Sequence, residues 1–145
     1  MLGLDQASKA LVRVFLPVGK SVDLWVFLLR QVRNAGTAFG LLRGKSPALF
    51  VASIAIFVVL LLALWRWGKT ESAFFQVAVG LIIGGALGNI IDRICLGEVV
   101  DFIDLRFWPV FNLADTAIVI GVCFTIAVIL RDTWKEHGDH SREAG

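Results

Sequence analysis

Three largely apolar runs of about twenty residues limit what this chain can fold into. They are "PALFVASIAIFVVLLLALWRW" at 47–67, "AFFQVAVGLIIGGALGNII" at 73–91 and "NLADTAIVIGVCFTIAVIL" at 112–130. A helix needs about 20 such residues to cross a hydrocarbon core about 30 Å thick. Trp65 and Trp67, at the end of the first run, are residues that suit a membrane interface. The rest of the chain agrees: 57% of 145 residues are hydrophobic and 18% charged, with mean hydropathy +0.78. A water-soluble surface of this size needs more polar residues than that. The sequence predicts an integral membrane protein, one domain over 1–145.

The opening segment, "MLGLDQASKALVRVFL", is helical up to Pro17. About 16 residues rising ~1.5 Å each give only about 24 Å, so this first helix is short or truncated, and an upstream start is the preferred explanation. Asp5 and Lys9 stand where the apolar core of a cleavable signal peptide would lie. The fold class expected is therefore an all-α integral membrane protein. It is a four-helix transmembrane bundle with helices at about 1–16, 47–67, 73–91 and 112–130.

Arg66 and Lys69 follow the second helix, and Arg131, Lys135 and Arg142 follow the last. By the positive-inside rule both places are cytoplasmic, including the tail 131–145. Loops at about 18–46 and 92–111 then lie outside. The second is acidic, with Asp92, Glu98, Asp101 and Asp104 against Arg93 and Arg106. The first runs against the rule, with Lys20, Arg30, Arg33, Arg43 and Lys45. Its stretch "SVDLWVFLLRQVRN" is β-branched and aromatic, which predicts a strand pair forming a small extracytoplasmic β-cradle.

Net charge is +2, from 14 basic and 12 acidic residues, which excludes a nucleic-acid binder. Cys95 and Cys123 have no metal-ligand spacing, and Cys123 reads as a small buried residue within an apolar run. No metal and no cofactor is expected. Gly80, Gly84 and Gly88 recur every four residues, a ridge that lets a neighbouring helix approach closely.

Ionisable groups at membrane depth are costly and mark function by default. Asp115 lies in the first turn of the last helix, with Asn112 three residues before it on the same face. Two readings stay open: a helix cap, in which Asn112 caps and Asp115 complements the dipole, or a working carboxylate. Asp101 favours the second, because Val99, Val100, Phe102 and Ile103 around it raise a carboxyl's pKa. If Asp101 and Asp115 meet, repulsion leaves one protonated and one ionised. Such a pair activates water without a metal. Asp104, three residues on, points away and reads as a solvated carboxylate. Asn89 and Arg93 are four apart on one helix face; Arg93 either holds a substrate carbonyl or phosphate or anchors at headgroups. Asp5 and Lys9, also four apart, must face a partner or a cavity.

Five stretches together resemble the lipoprotein signal peptidase (signal peptidase II) family. They are "DQASK" at 5–9, "NAGTAFG" at 34–40, "GGALGNIIDR" at 84–93, "GEVVDF" at 97–102 and "FNLAD" at 111–115. The resemblance implies an aspartic endopeptidase of the bacterial cytoplasmic (inner) membrane, multi-pass, with its active site on the extracytoplasmic side. It implies cleavage of diacylglyceryl-modified prolipoproteins just before the lipid-bearing cysteine, membrane lipids as further partners, and inhibition by globomycin. The family's catalytic pair falls on Asp101 and Asp115, and its supporting polar residues on Asn34, Asn89, Arg93 and Asn112, with Asp5 and Lys9 in the first motif. Gly85, Val99 and Ala114 match positions that line the family's substrate pocket. A non-enzymatic membrane protein that binds lipopeptide or a partner helix is the competing expectation. A small transporter is disfavoured, since the aspartates sit at one membrane face.

Overall fold

The computed structural model describes residues 1–35, 58 and 73–143. The helix expected over 47–67, Arg43, Lys45, Arg66, Lys69 and most of "NAGTAFG" lie outside the described residues. In chain order the described elements are α1 (Leu2–Phe15), β1 (Ser21–Asp23), β2 (Leu28–Asn34), α2 (Ala73–Leu96), β3 (Val99–Asp104) and α3 (Leu113–Glu143).

Helix α1 is amphipathic in the inverse sense of a helix in water. Its buried residues are Asp5 and Lys9, while Leu4, Leu11, Val14 and Phe15 are exposed. Apolar side chains outward and charges inward is the arrangement that hydrocarbon solvent selects. The helix stops at Leu16, whose φ of −123° and ψ of 90° leave the α region, as the ring of Pro17 requires of its predecessor.

Helix α2 has 24 residues, about 36 Å at ~1.5 Å per residue. Among the described helices it is the one long and apolar enough to cross a membrane, and α3 contributes a shorter apolar stretch, Leu113–Val128. Two boundaries differ from expectation. Helix α2 continues past residue 91, so Asp92 and Arg93 are helical rather than in a loop. It ends at Gly97, whose φ of +77° allows a left-handed cap with its N–H on Arg93 O at 3.1 Å. Helix α3 continues beyond residue 130 to Glu143. The change to polar residues at Arg131 ends the apolar run, not the backbone helix.

The two long helices touch through glycine. A Cβ on Gly85 would lie 2.5 Å from Ala114 O, and one on Gly121 2.7 Å from Ala78 O. The expected ridge admits a neighbouring helix at two of its positions, where Gly84 and Gly88 take α1 at Met1 and Asp5, while a Cβ on Gly80 would meet nothing within 4 Å among the described residues. Cys123 is exposed, not buried. An apolar run in lipid has no polar outer face to mark which side turns inward.

The strands form one antiparallel sheet ordered β1-β2-β3. Between Leu29 and Val32 the register against β3 slips by one residue, a bulge that puts Val32 opposite Asp101 and Asn34 opposite Val99. Diagonal neighbours two apart share a face, so Asn34 and Asp101 project together. Ion pairs lace this sheet: Arg30 Nε to Asp104 Oδ2 at 2.7 Å, and Arg33 Nη1 to Glu98 Oε1 at 2.9 Å. Two of the cations that broke the charge rule are thus neutralised by acids of β3 and the turn before it. Asp104 is buried and paired, not solvated, because β2 delivers an arginine to it.

Candidate active site

Strand β3 is buried from Val99 through Phe102, and it carries Asp101 against the start of α3. Asp101 is 2% exposed. Its Oδ1 accepts from Asn112 Nδ2 at 2.8 Å and its Oδ2 from Asn34 Nδ2 at 2.9 Å. Burial pushes its carboxyl up to about 6. The Asn34 bond opposes that, the charge of Asp115 adds to it, and the Asn112 bond and Lys9 also oppose it. A carboxyl in that range exchanges a proton near neutral pH, as acid–base work requires.

Asn112 is fully buried immediately before α3. Its Oδ1 accepts the Asp115 N–H at 2.9 Å, and Asp115 Oδ2 accepts the Asn112 N–H at 3.3 Å. This is a reciprocal helix cap, so the capping reading of these residues is realised. The cap does not use up Asp115, whose Oδ1 accepts Asn89 Nδ2 at 2.8 Å. One asparagine therefore grips Asp101 with its amide nitrogen and Asp115 with its amide oxygen.

Behind this pair sits a buried ionic cluster. Lys9 Nζ lies 2.9 Å from Asp5 Oδ2, 3.1 Å from Asp92 Oδ2 and 2.9 Å from Asn89 Oδ1. An ammonium has three N–H donors, and these three acceptors occupy them. Asn89 Oδ1 also takes Asn112 Nδ2 at 3.1 Å, so its nitrogen must face Asp115. Asp5 Oδ1 accepts the Ala114 N–H at 3.0 Å, in the first turn of α3. Asp92 Oδ2 accepts the Val100 N–H at 3.0 Å, beside Asp101. The cluster thus holds both elements that bear the aspartates. Among the described residues, every buried side-chain polar atom has a hydrogen-bond partner.

Arg93 is half-buried within reach of the charges of Asp115, Asp101 and Asp92, and its Nη1 donates to Asn89 O at 3.2 Å. Gly85 and Ala114 meet in the α2–α3 contact, and Val99 is buried opposite Asn34 in the sheet. These three support the site by packing. Sequence reasoning missed Asp92 as an anchor of β3, and Gln6, whose Nε2 donates to Asp92 Oδ1 at 3.0 Å and Gly88 O at 3.1 Å. The spacing Asn89–Asp92–Arg93 places Asp92 on the Asn89 face, which is the signal that identifies it.

An apolar groove of about 310 Å³ opens beside Asp115, between Phe107, Trp108 and Phe111 on one side and Thr116, Val119 and Ile120 on the other. A carboxylate therefore stands among the apolar residues that line this groove.

The model of the family described as "Signal peptidase (SPase) II" matches residues 1–131. The chain belongs to the signal peptidase II family. A lipoprotein signal peptidase of Syntrophomonas wolfei is 45% identical over 135 residues, covering 92% of this chain and 89% of the relative. One from Staphylococcus haemolyticus is 38% identical over 138 residues, covering 91% and 87%. Two solved structures described as bacterial membrane enzymes, at 2.3 and 1.9 Å resolution, superpose with TM-scores of 0.77 and 0.73. They are 37% and 36% identical to this chain, covering 91% and 90% of it and 84% and 88% of their own chains. This signal peptidase II homologue is a membrane protein, and the inverted α1 is what lipid surroundings demand of it.

Proposed function

We propose that this signal peptidase II homologue is a membrane aspartic endopeptidase that removes the signal peptide from diacylglyceryl-modified prolipoproteins, cutting before the lipid-bearing cysteine. Asp101 and Asp115 are its catalytic pair. The observation that carries this reading is Asn112, which binds the Asp101 carboxylate and caps Asp115 with the two ends of one amide. A water between the two carboxyl groups loses a proton to the ionised member while the protonated member donates to the scissile carbonyl oxygen. The tetrahedral intermediate then collapses, and a carboxyl returns a proton to the leaving nitrogen. Asn34, Asn89, Arg93 and Asn112 fix the pair, and the ionic cluster of Asp5 and Lys9 fixes their supports.

The site lies at the outer end of a four-helix bundle, under an extracytoplasmic β-cradle, in the bacterial inner membrane. Acidic residues 92–104 on that side and Arg131 and Lys135 at the other end of α3 support this orientation. Membrane lipids surround it, and globomycin competes for its groove. The test uses a purified lipidated precursor. Asp101→Asn and Asp115→Asn each abolish cleavage while the protein still inserts, and globomycin blocks the wild type. Wild-type rates from either variant would remove the pair from the mechanism.

A further inference from the structure

Among the described residues only two non-glycines have positive φ, Trp25 at 71° and Arg106 at 70°. A left-handed backbone crowds any Cβ and persists only where its surroundings enforce it. Both residues are held by Asp23, at the end of β1. Asp23 Oδ1 accepts the Trp25 N–H at 2.8 Å. Arg106 Nη2 lies 2.8 Å from each Asp23 oxygen. The Arg106 N–H is fixed as well, donating to Asp104 Oδ1 at 2.7 Å.

Arg106 belongs to the loop between β3 and α3. The base of that loop is closed by Ile103 and Phe111, whose N–H groups reach each other's carbonyls at 2.8 and 3.0 Å. Its crown is tied to another element through the Arg106–Asp23 pair. Between base and crown stand Phe107 and Trp108, 83% and 61% exposed. They line the groove that Asp115 also lines.

We infer that Arg106, acting through Asp23, is a positioning residue for substrate affinity: the pair sets the aromatic loop as the outer wall of the groove beside Asp115. The apolar part of the substrate lies against that wall, and the pair touches no reacting atom. This rests on the peptidase reading for the identity of the substrate. Both side chains are about half exposed, 51% and 61%, so salt screens their attraction.

The test uses the full chain in lipid with Arg106→Gln, Asp23→Asn and the double variant. Asn at 23 keeps an acceptor for the Trp25 N–H, so the hairpin turn stays intact. Each single variant raises KM about fivefold with kcat within about twofold, the scale of one exposed pair. The double variant is no worse than the poorer single, because only one interaction is lost. Raising salt from about 0.1 M to about 1 M, which shortens screening from ~10 to ~3 Å, raises the wild-type KM and leaves that of Arg106→Gln unchanged. Unchanged KM in both singles, a fall in kcat instead, or single effects that multiply in the double variant would overturn the inference. Binding of an uncleavable lipidated peptide, measured in parallel, reports the clamp even if no cleavage occurs. Absence of cleavage by the wild type would then count against the peptidase reading alone.

Discussion

Asn112 and Asp115 cap each other across the first turn of α3, with Asp115 N–H on Asn112 Oδ1 at 2.9 Å and Asn112 N–H on Asp115 Oδ2 at 3.3 Å. The same Asn112 amide reaches Asp101 Oδ1 at 2.8 Å, so helix start and site geometry are one structure. Asn112→Ala removes the cap, worth about 1 kcal/mol, and also frees Asp101. Asn112→Asp keeps the cap acceptor but has no donor for Asp101 and adds a third carboxylate. Both variants should lose at least about 100-fold in kcat, a general acid–base contribution. Asn112→Asp should lose at least as much of the wild-type melting temperature as Asn112→Ala, because its buried charge would face the oxygens of Asp101 and Asn89. Single-turnover cleavage and thermal unfolding, measured on the same preparations, check this; equal kcat in wild type and Asn112→Ala would refute it.

Lys9 stands between Asp5 and Asp92 at 2.9 and 3.1 Å, with all three groups buried. Lys9→Met leaves two buried carboxylates uncompensated, a loss of about 3–5 kcal/mol. Adding Asp92→Asn to Lys9→Met removes one of those charges and should recover part of the loss. Unfolding in mild detergent gives both values. If the double variant is less stable than Lys9→Met, the cluster is not held by charge balance.

How much of this was legible from residues alone depends on what each residue faces. Asp101 stands out because a carboxylate among valines is costly to bury, and Asp115 because a carboxylate at the mouth of an apolar helix can cap the helix and still do chemistry. Asn89 and Arg93 follow from helical spacing, and Asp5 and Lys9 from their place in an apolar helix. Asp104 was misread: alternation correctly turned it from Asp101, but its burial depends on Arg30 of β2, and partner strands are not written in local sequence. Cys123 was misread for another reason. In lipid an apolar helix gives little sign of which face meets a neighbour: Gly84 and Gly88 of the repeat admit α1, while the α2–α3 contact falls on Gly85 and Gly121 outside it.

Asp101 sets a pH dependence whose sign is fixed. Its carboxyl moves from 3.8 to about 6 on folding, so the folded protein holds the proton over a range where the unfolded chain has released it. Stability therefore declines as pH rises from about 4 through about 6, by at most about 3 kcal/mol. Asp101→Asn carries no titrating group there. The variant should be inactive yet at least as stable as wild type at pH 7.5, with the advantage gone near pH 4. Denaturation curves at the two pH values decide it. A wild type that gains on the variant as pH rises would reverse the sign and remove the raised carboxyl from the account.

Glycine substitutions separate packing from position within one helix. A Cβ on Gly85 would sit 2.5 Å from Ala114 O, in the turn that carries Asp115, whereas one on Gly80 would meet nothing within 4 Å among the described residues. Gly85→Ala must push α2 and α3 apart, an overpacking cost of about 1–3 kcal/mol. Because Asn89 on α2 donates to Asp115 on α3, the same displacement stretches that bond and lowers kcat; a 1 Å misplacement can cost about 100-fold. Gly80→Ala gains helix propensity, up to about 1 kcal/mol, and leaves cleavage unchanged. Melting temperatures for the two variants should therefore move in opposite directions, while kcat falls only in Gly85→Ala. A Gly85→Ala enzyme with wild-type kcat would mean that the α2–α3 spacing does not set the position of Asp115.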